Sequence, residues 1–141
     1  MAEPRVSLIT LGSRDLEKSR RFYVDGFGWK PVFENDEIIF YQLNGLILST
    51  FADTSLQADM ARGELLRPGA FALAHNVRAE SEVKALMNDL VAAGGRVLRP
   101  ADAPPIGGLR GYVADPDDHA WEIAYNPAFS IDDDGNIVFG T

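Results

Sequence analysis

With 141 residues, 46% of them hydrophobic, the chain has the material for one compact domain with a real core, which excludes disorder as its main state. It contains no cysteine, so disulfides, thiolate metal sites and a cysteine nucleophile are excluded, and any metal would need His, Asp or Glu. The formal net charge of −8 runs against a nucleic-acid partner, because phosphates are held by clustered Lys and Arg.

No apolar run reaches the roughly 18 residues needed to span a bilayer, so no membrane partner is expected. The N-terminus Met1-Ala2-Glu3-Pro4-Arg5 leads into a strand-like segment without a signal sequence. Together with the missing cysteines this predicts a cytoplasmic protein.

In chain order, residues 6–11 are a short run of β-formers, and Gly12-Ser13-Arg14-Asp15 supplies a turn with Asp15 as helix N-cap. Leu16, Ser19, Phe22 and Tyr23 form one helical stripe, closed by Gly26 and Gly28. The basic residues Arg14, Lys18, Arg20 and Arg21 alternate with Asp15 and Glu17 on the solvated face. Three strands are predicted over 30–33, 37–43 and 46–51, the last two joined by the hairpin pair Asn44-Gly45. A stretch over 53–66 reads as a linker with a short helix, ended by Pro68-Gly69.

The order then repeats. A strand over 70–77 precedes a helix whose Val83, Leu86, Met87, Leu90 and Val91 mark one face, with Gly94-Gly95 as its stop. Strands follow over 96–98, 109–114 and 120–125, separated by a Pro- and Gly-rich loop from 100 to 108 and a turn at Asp115-Pro116-Asp117-Asp118. Sliding one half on the other puts Leu8 on Ala72, Ser19 on Val83, Phe22 on Leu86 and Tyr23 on Met87, a weak internal duplication. The prediction is an α+β domain of two βαβββ modules forming a curved mixed sheet around a pocket. Module one spans 5–52, a linker 53–68, module two 69–127 and a C-terminal hairpin tail 128–141. Each module leaves one sheet face bare, to be buried or used.

The segment Leu8-Ile9-Thr10-Leu11-Gly12-Ser13-Arg14-Asp15-Leu16-Glu17-Lys18-Ser19-Arg20-Arg21-Phe22-Tyr23, followed by Gly26-Phe27-Gly28-Trp29, resembles the opening of the vicinal oxygen chelate superfamily. This is the group of glyoxalase I, bleomycin-resistance proteins and extradiol dioxygenases. Asp115-Pro116-Asp117-Asp118-His119-Ala120-Trp121-Glu122-Ile123 resembles its closing turn and last strand. The resemblance implies modules paired through their first strands and a homodimer. It also implies, in metal-dependent members, ligands on the first and last strands of each module. Those positions carry Leu8 and Ala72, where His or Gln is usual, and residues 48–50 without a carboxylate. Only Glu122 matches, and one carboxylate does not hold a divalent ion. The expectation is therefore no metal residue and no cofactor, a divalent metal remaining open with most ligand positions missing.

His75, three residues beyond Ala72, is predicted to turn to the helix-packed face, and His119 to be a surface turn residue. Glu122 is the candidate catalytic residue, suited to proton transfer or to binding an amine, with pairing to Arg110 as the structural alternative. The segment Pro104-Pro105-Ile106-Gly107-Gly108-Leu109-Arg110-Gly111 reads as a flexible connection or a pocket mouth whose Arg110 receives an anion. Tyr41, Phe51 and Tyr112 are candidate ligand-stacking residues, with Leu8 and Ala72 beside them, whereas Trp121 should point to the helices. Asp132-Asp133-Asp134-Gly135-Asn136 lacks the closing Glu of a calcium loop and reads as a hairpin turn between Ile131 and Ile137-Val138-Phe139. No nucleophile elbow or dinucleotide fingerprint is present. The leading expectation is a metal-independent protein that binds a small organic molecule in its cavity. The alternatives are a lyase, isomerase or dioxygenase, metal-dependent or using Glu122 as acid/base, and an interaction module whose cavity is filled by its own side chains.

Overall fold

The computed structural model describes residues 1–140, so that Thr141, the last residue assigned to the tail, lies outside the described residues. Its first module runs β1 (Leu8–Ser13), α1 (Leu16–Arg21), β2 (Pro31–Glu34), β3 (Ile38–Gln42) and β4 (Ile47–Ala52). The second runs β5 (Leu73–Asn76), α3 (Ser81–Ala92), β6 (Arg96–Asp102), β7 (Leu109–Ala114) and β8 (Ala120–Tyr125). A short helix α2 (Asp53–Asp59) follows β4, and β9 (Phe129–Ile131) pairs with β10 (Ile137–Phe139) in a terminal hairpin.

The two sheets have the same topology, β1-β4-β3-β2 and β5-β8-β7-β6. In each, the first strand runs parallel to the last and the other neighbours are antiparallel. The duplication extends to register, since Thr10 faces Ser49 as Ala74 faces Glu122. The side-chain period of two then turns Leu11, Ile39, Tyr41 and Leu48 of the first sheet, and Val113, Trp121 and Ile123 of the second, toward the helices. They join Phe22, Tyr23, Val83, Met87 and Leu90 in one buried cluster.

Asp15 caps α1 as its sequence position requires, its side chain accepting from the backbone N–H groups of Glu17 and Lys18. The helix continues as a π-turn over Phe22–Gly26, closed by the Phe27 N–H donating to the Phe22 carbonyl at 3.3 Å. This wider turn sits where consecutive Phe22 and Tyr23 are both fully buried. At the end of α3, Gly94 takes a φ of +110°. Gly95 fills a different need: a Cβ there would lie 2.7 Å from both Phe22 Cε2 and Val113 Cγ1.

Within one chain β1 and β5 share no ladder, so the two modules do not pair through their first strands intramolecularly. Between them stands an aromatic wedge in which Tyr23, Phe27 and Trp29 of the first module meet His75 and Trp121 of the second. The turn before β8 locks the joint. The Tyr23 hydroxyl donates to Asp115 Oδ2 at 2.7 Å, and the Trp121 indole N–H donates to the Tyr23 oxygen at 3.1 Å. Asp115 Oδ1 accepts the backbone N–H groups of Asp117 and His119, both at 2.9 Å. Burial raises the pKa of both Tyr23 and Asp115, and the shared hydrogen bond keeps the proton on the phenol.

Strand β6 extends to Asp102, past the Pro100 at which the sequence predicts a loop. It is an edge strand with two register irregularities, the setting in which a proline can lie within a sheet.

Candidate functional site

The strand alternation that buries the helix-facing residues leaves the other face of each sheet open, except that α2 packs over the Gly12 end of the first, where a Cβ on Gly12 would lie 3.4 Å from Leu56. On the second sheet that open face carries Ala74, Glu122, Tyr112, Ala124 and Arg110 in register. The terminal hairpin lies over its β5–β8 side. It is tied down by Arg78, whose guanidinium donates to the carbonyls of Ile131 at 3.1 Å and Asp132 at 2.7 Å. From the first module Asn44 reaches across to donate to the Asp134 carbonyl. Asp132 shapes the hairpin turn by accepting the backbone N–H groups of Asp134 and Asn136 at 3.0 and 2.8 Å.

Between sheet and hairpin is a cavity of about 610 Å³. Its polar lining comes from Glu122 and the four asparagines Asn44, Asn76, Asn126 and Asn136, and its apolar wall from Phe129, Ile131 and Ile137. His75 of β5 also borders it, but its ring turns to the helix face with Ile123, as the sequence predicts. The Glu122 side chain makes no ion pair or hydrogen bond among the described residues, although its backbone is paired in the ladders with β5 and β7. The alternative pairing with Arg110 does not form, because Arg110 binds Asp102 instead, as does Arg99. His75 contacts Phe27 and Trp29, and desolvation lowers its pKa, so the ring is neutral at neutral pH.

The remaining candidates are distributed over other surfaces. Leu8 and Phe51 lie on the open face of the first sheet, in register with Ile47 and Gly12, away from the Glu122 cavity. Ala72 is exposed immediately ahead of β5, and Tyr112 faces Glu122 across the β7–β8 ladder. Tyr41 is a correction: it is turned to the helix side and fully buried beside Tyr23 and Trp29, where burial pushes its phenol up to about 12. The tyrosine available to a ligand on these faces is Tyr112. Arg110 lies on the open face but is held by Asp102, which removes the free guanidinium that an anion would need. His119 is also corrected, being 8% exposed with its Nε2 2.8 Å from the Gly12 carbonyl, a link between modules.

The register tests the metal positions directly. Opposite each other on the open face of the first sheet are Thr10 and Ser49, whose hydroxyls are 2.7 Å apart, where the second sheet has Ala74 and Glu122. Neither Leu8 nor Ala72 has a donor atom in its side chain. Among the described residues no three His, Asp or Glu side chains converge as a metal site would require. The donor set does not fit a divalent ion within one chain.

The four asparagines and the hairpin wall carry no signal in the sequence that marks them as a site. The ribbon itself was legible in Ile131, Asp132-Asp133-Asp134-Gly135 and Ile137, but its docking depends on Arg78 grasping two backbone carbonyls, which carry no side-chain signature.

Two βαβββ modules of identical topology, joined through their helices with open sheet faces, define the class. The profile of the Glyoxalase/Bleomycin resistance protein/Dioxygenase superfamily matches residues 5–123, and the chain belongs to this superfamily. A crystal structure of a glyoxalase-related enzyme from Fulvimarina pelagi is 61% identical, with a TM-score of 0.96 over 99% of this chain and 100% of that one. The fosfomycin resistance protein FosX from Listeria monocytogenes shares the fold at 21% identity, with a TM-score of 0.70 over 89% of this chain and 95% of its own. A lactoylglutathione lyase from Agrobacterium tumefaciens shares it at 19% identity, with a TM-score of 0.65 over 89% of this chain and 96% of its own. No curated protein matches the chain. No described helix is long and apolar enough to cross a membrane.

Proposed function

We propose that this superfamily member binds a small organic molecule in the cavity between β8 and the terminal hairpin, without a metal, as a cytoplasmic protein. The observation that carries the reading is Glu122: a half-buried carboxylate with no protein partner, at the one family ligand position that retains a donor, facing amide and apolar groups. A carboxylate so placed binds or positions an organic group directly, and the same geometry would let it move a proton if the bound molecule reacts.

The open face of the first sheet supports the homodimer that the resemblance implies. Leu8 and Phe33 are 48% and 49% exposed, and the Phe33 ring packs only on the neighbouring Phe40 across the β2–β3 ladder among the aromatic side chains. A second copy covering this face gives a solution mass of two chains by light scattering; a mass of one chain contradicts the dimer.

The binding reading is tested by melting curves against a library of small organic molecules in the presence of EDTA. A ligand at about 100 times its dissociation constant adds about 2.7 kcal/mol to stability and raises the melting temperature visibly. Stabilisation that persists in EDTA supports the reading. Stabilisation that disappears with EDTA, or the absence of any stabilising molecule, overturns it.

A further inference from the structure

We propose that the ligand of the Glu122 cavity is a small organic cation, an amine or amidine bearing an apolar group, held between the Glu122 carboxylate and the terminal hairpin. This rests on the reading that the cavity binds a small organic molecule and adds its charge and polarity.

Three properties of the cavity point to that chemistry. The first is charge. The lining includes one carboxylate and no Lys or Arg, and its single histidine is neutral at neutral pH. Arg78, which ties down the hairpin, is committed to the Ile131 and Asp132 carbonyls, and Arg110, on the same sheet face as Glu122, to Asp102. The hairpin turn adds Asp132, Asp133 and Asp134, and the chain carries a formal net charge of −8. An anion entering this site would meet an uncompensated carboxylate, whereas a cation would neutralise it.

The second property is hydrogen-bond polarity. Asn44 and Asn136 donate their amide nitrogens to Asp134 and Asp132. Their side-chain oxygens are then left as acceptors in the cavity that Glu122 also lines. An ammonium or amidinium has several donors and no acceptor, the complement of such a set.

The third is shape. Phe129, Ile131 and Ile137 give the hairpin side an apolar wall opposite Glu122. A molecule with one charged end and one apolar end fits across the cavity, with its charge toward β8.

The experiment uses three probes that differ only in the polar group: benzylamine, benzyl alcohol and benzoate. Each is titrated by NMR into the full-length protein, into Glu122→Gln and into Asn136→Ala. The expected result is binding of benzylamine at least about tenfold tighter than the other two, a preference lost in Glu122→Gln and reduced in Asn136→Ala. Shifts should centre on Glu122 and residues 129–137. Asn136→Ala retains the carboxylate and keeps the test alive if Glu122→Gln does not fold. Equal or tighter binding of benzyl alcohol or benzoate overturns the cation assignment and leaves the binding reading intact. Benzylamine binding that is unchanged in both variants, that maps elsewhere, or that is absent also overturns it; whether any organic molecule binds is decided separately by the melting screen.

Discussion

Tyr23 is the residue on which both modules converge. Its hydroxyl connects the Asp115 carboxylate to the Trp121 indole, and all three side chains are buried. Replacing it with Phe leaves the packing but removes a donor and an acceptor from groups that water cannot reach, so Tyr23→Phe should cost about 1–3 kcal/mol in urea unfolding. A loss below that range would mean that Asp115 and Trp121 find other partners. His75 supplies the pH dependence. Burial lowers its pKa below the ordinary 6.5, so below that value the unfolded chain takes up a proton that the folded chain resists. Its contribution is complete above the unfolded pKa and is lost as pH falls through the lowered folded value. The melting temperature should therefore fall as pH drops below the ordinary histidine value of 6.5, by an amount that His75→Phe reduces. An identical pH profile in the variant would remove His75 as a cause.

Among the elements, α3 and its exit turn show how closely packing and chain path are linked. Gly95 passes so near Phe22, Val113 and the Leu90 carbonyl, the last 2.9 Å from an added Cβ, that no single side-chain rotation clears the space. Gly95→Ala is expected to lower stability by about 1–3 kcal/mol, measured by chemical unfolding, and an unchanged midpoint would show that the turn can move aside. The helices, hairpin pairs and repeated strand order were all legible from the sequence, because caps, Gly stops and apolar spacing are local signals. Which face a strand residue takes was less so. In Ile38-Ile39-Phe40-Tyr41 every residue is apolar or aromatic, so alternation gives no direction, and Tyr41 belongs to the buried parity with Ile39. His119 reads as a surface turn residue because the Gly12 carbonyl it contacts belongs to the other module, far away in sequence. Glu122 is readable from the sequence as a candidate because it sits in a motif; the asparagines that line the cavity with it come from four separate places in the chain and form no motif at all.

At the scale of the whole molecule, a duplicated module makes two sheets with open faces, and the two halves have diverged in what those faces carry. The first presents Thr10 and Ser49 bonded to each other, together with Leu8 and Phe51; the second presents an unpaired carboxylate under a hairpin that belongs to neither module. The superfamily fold thus persists while Glu122 is the single carboxylate kept at the family's metal positions, and no three such side chains converge among the described residues. That is the central claim, and metal content tests it most directly. Protein purified without a polyhistidine tag should contain far less than one equivalent of metal per chain by elemental analysis. Its melting temperature should be unmoved by Fe²⁺, Mn²⁺, Ni²⁺ or Zn²⁺. One bound ion per chain that stabilises the fold, and that is lost in Glu122→Gln, would contradict the account and return the site to metal chemistry.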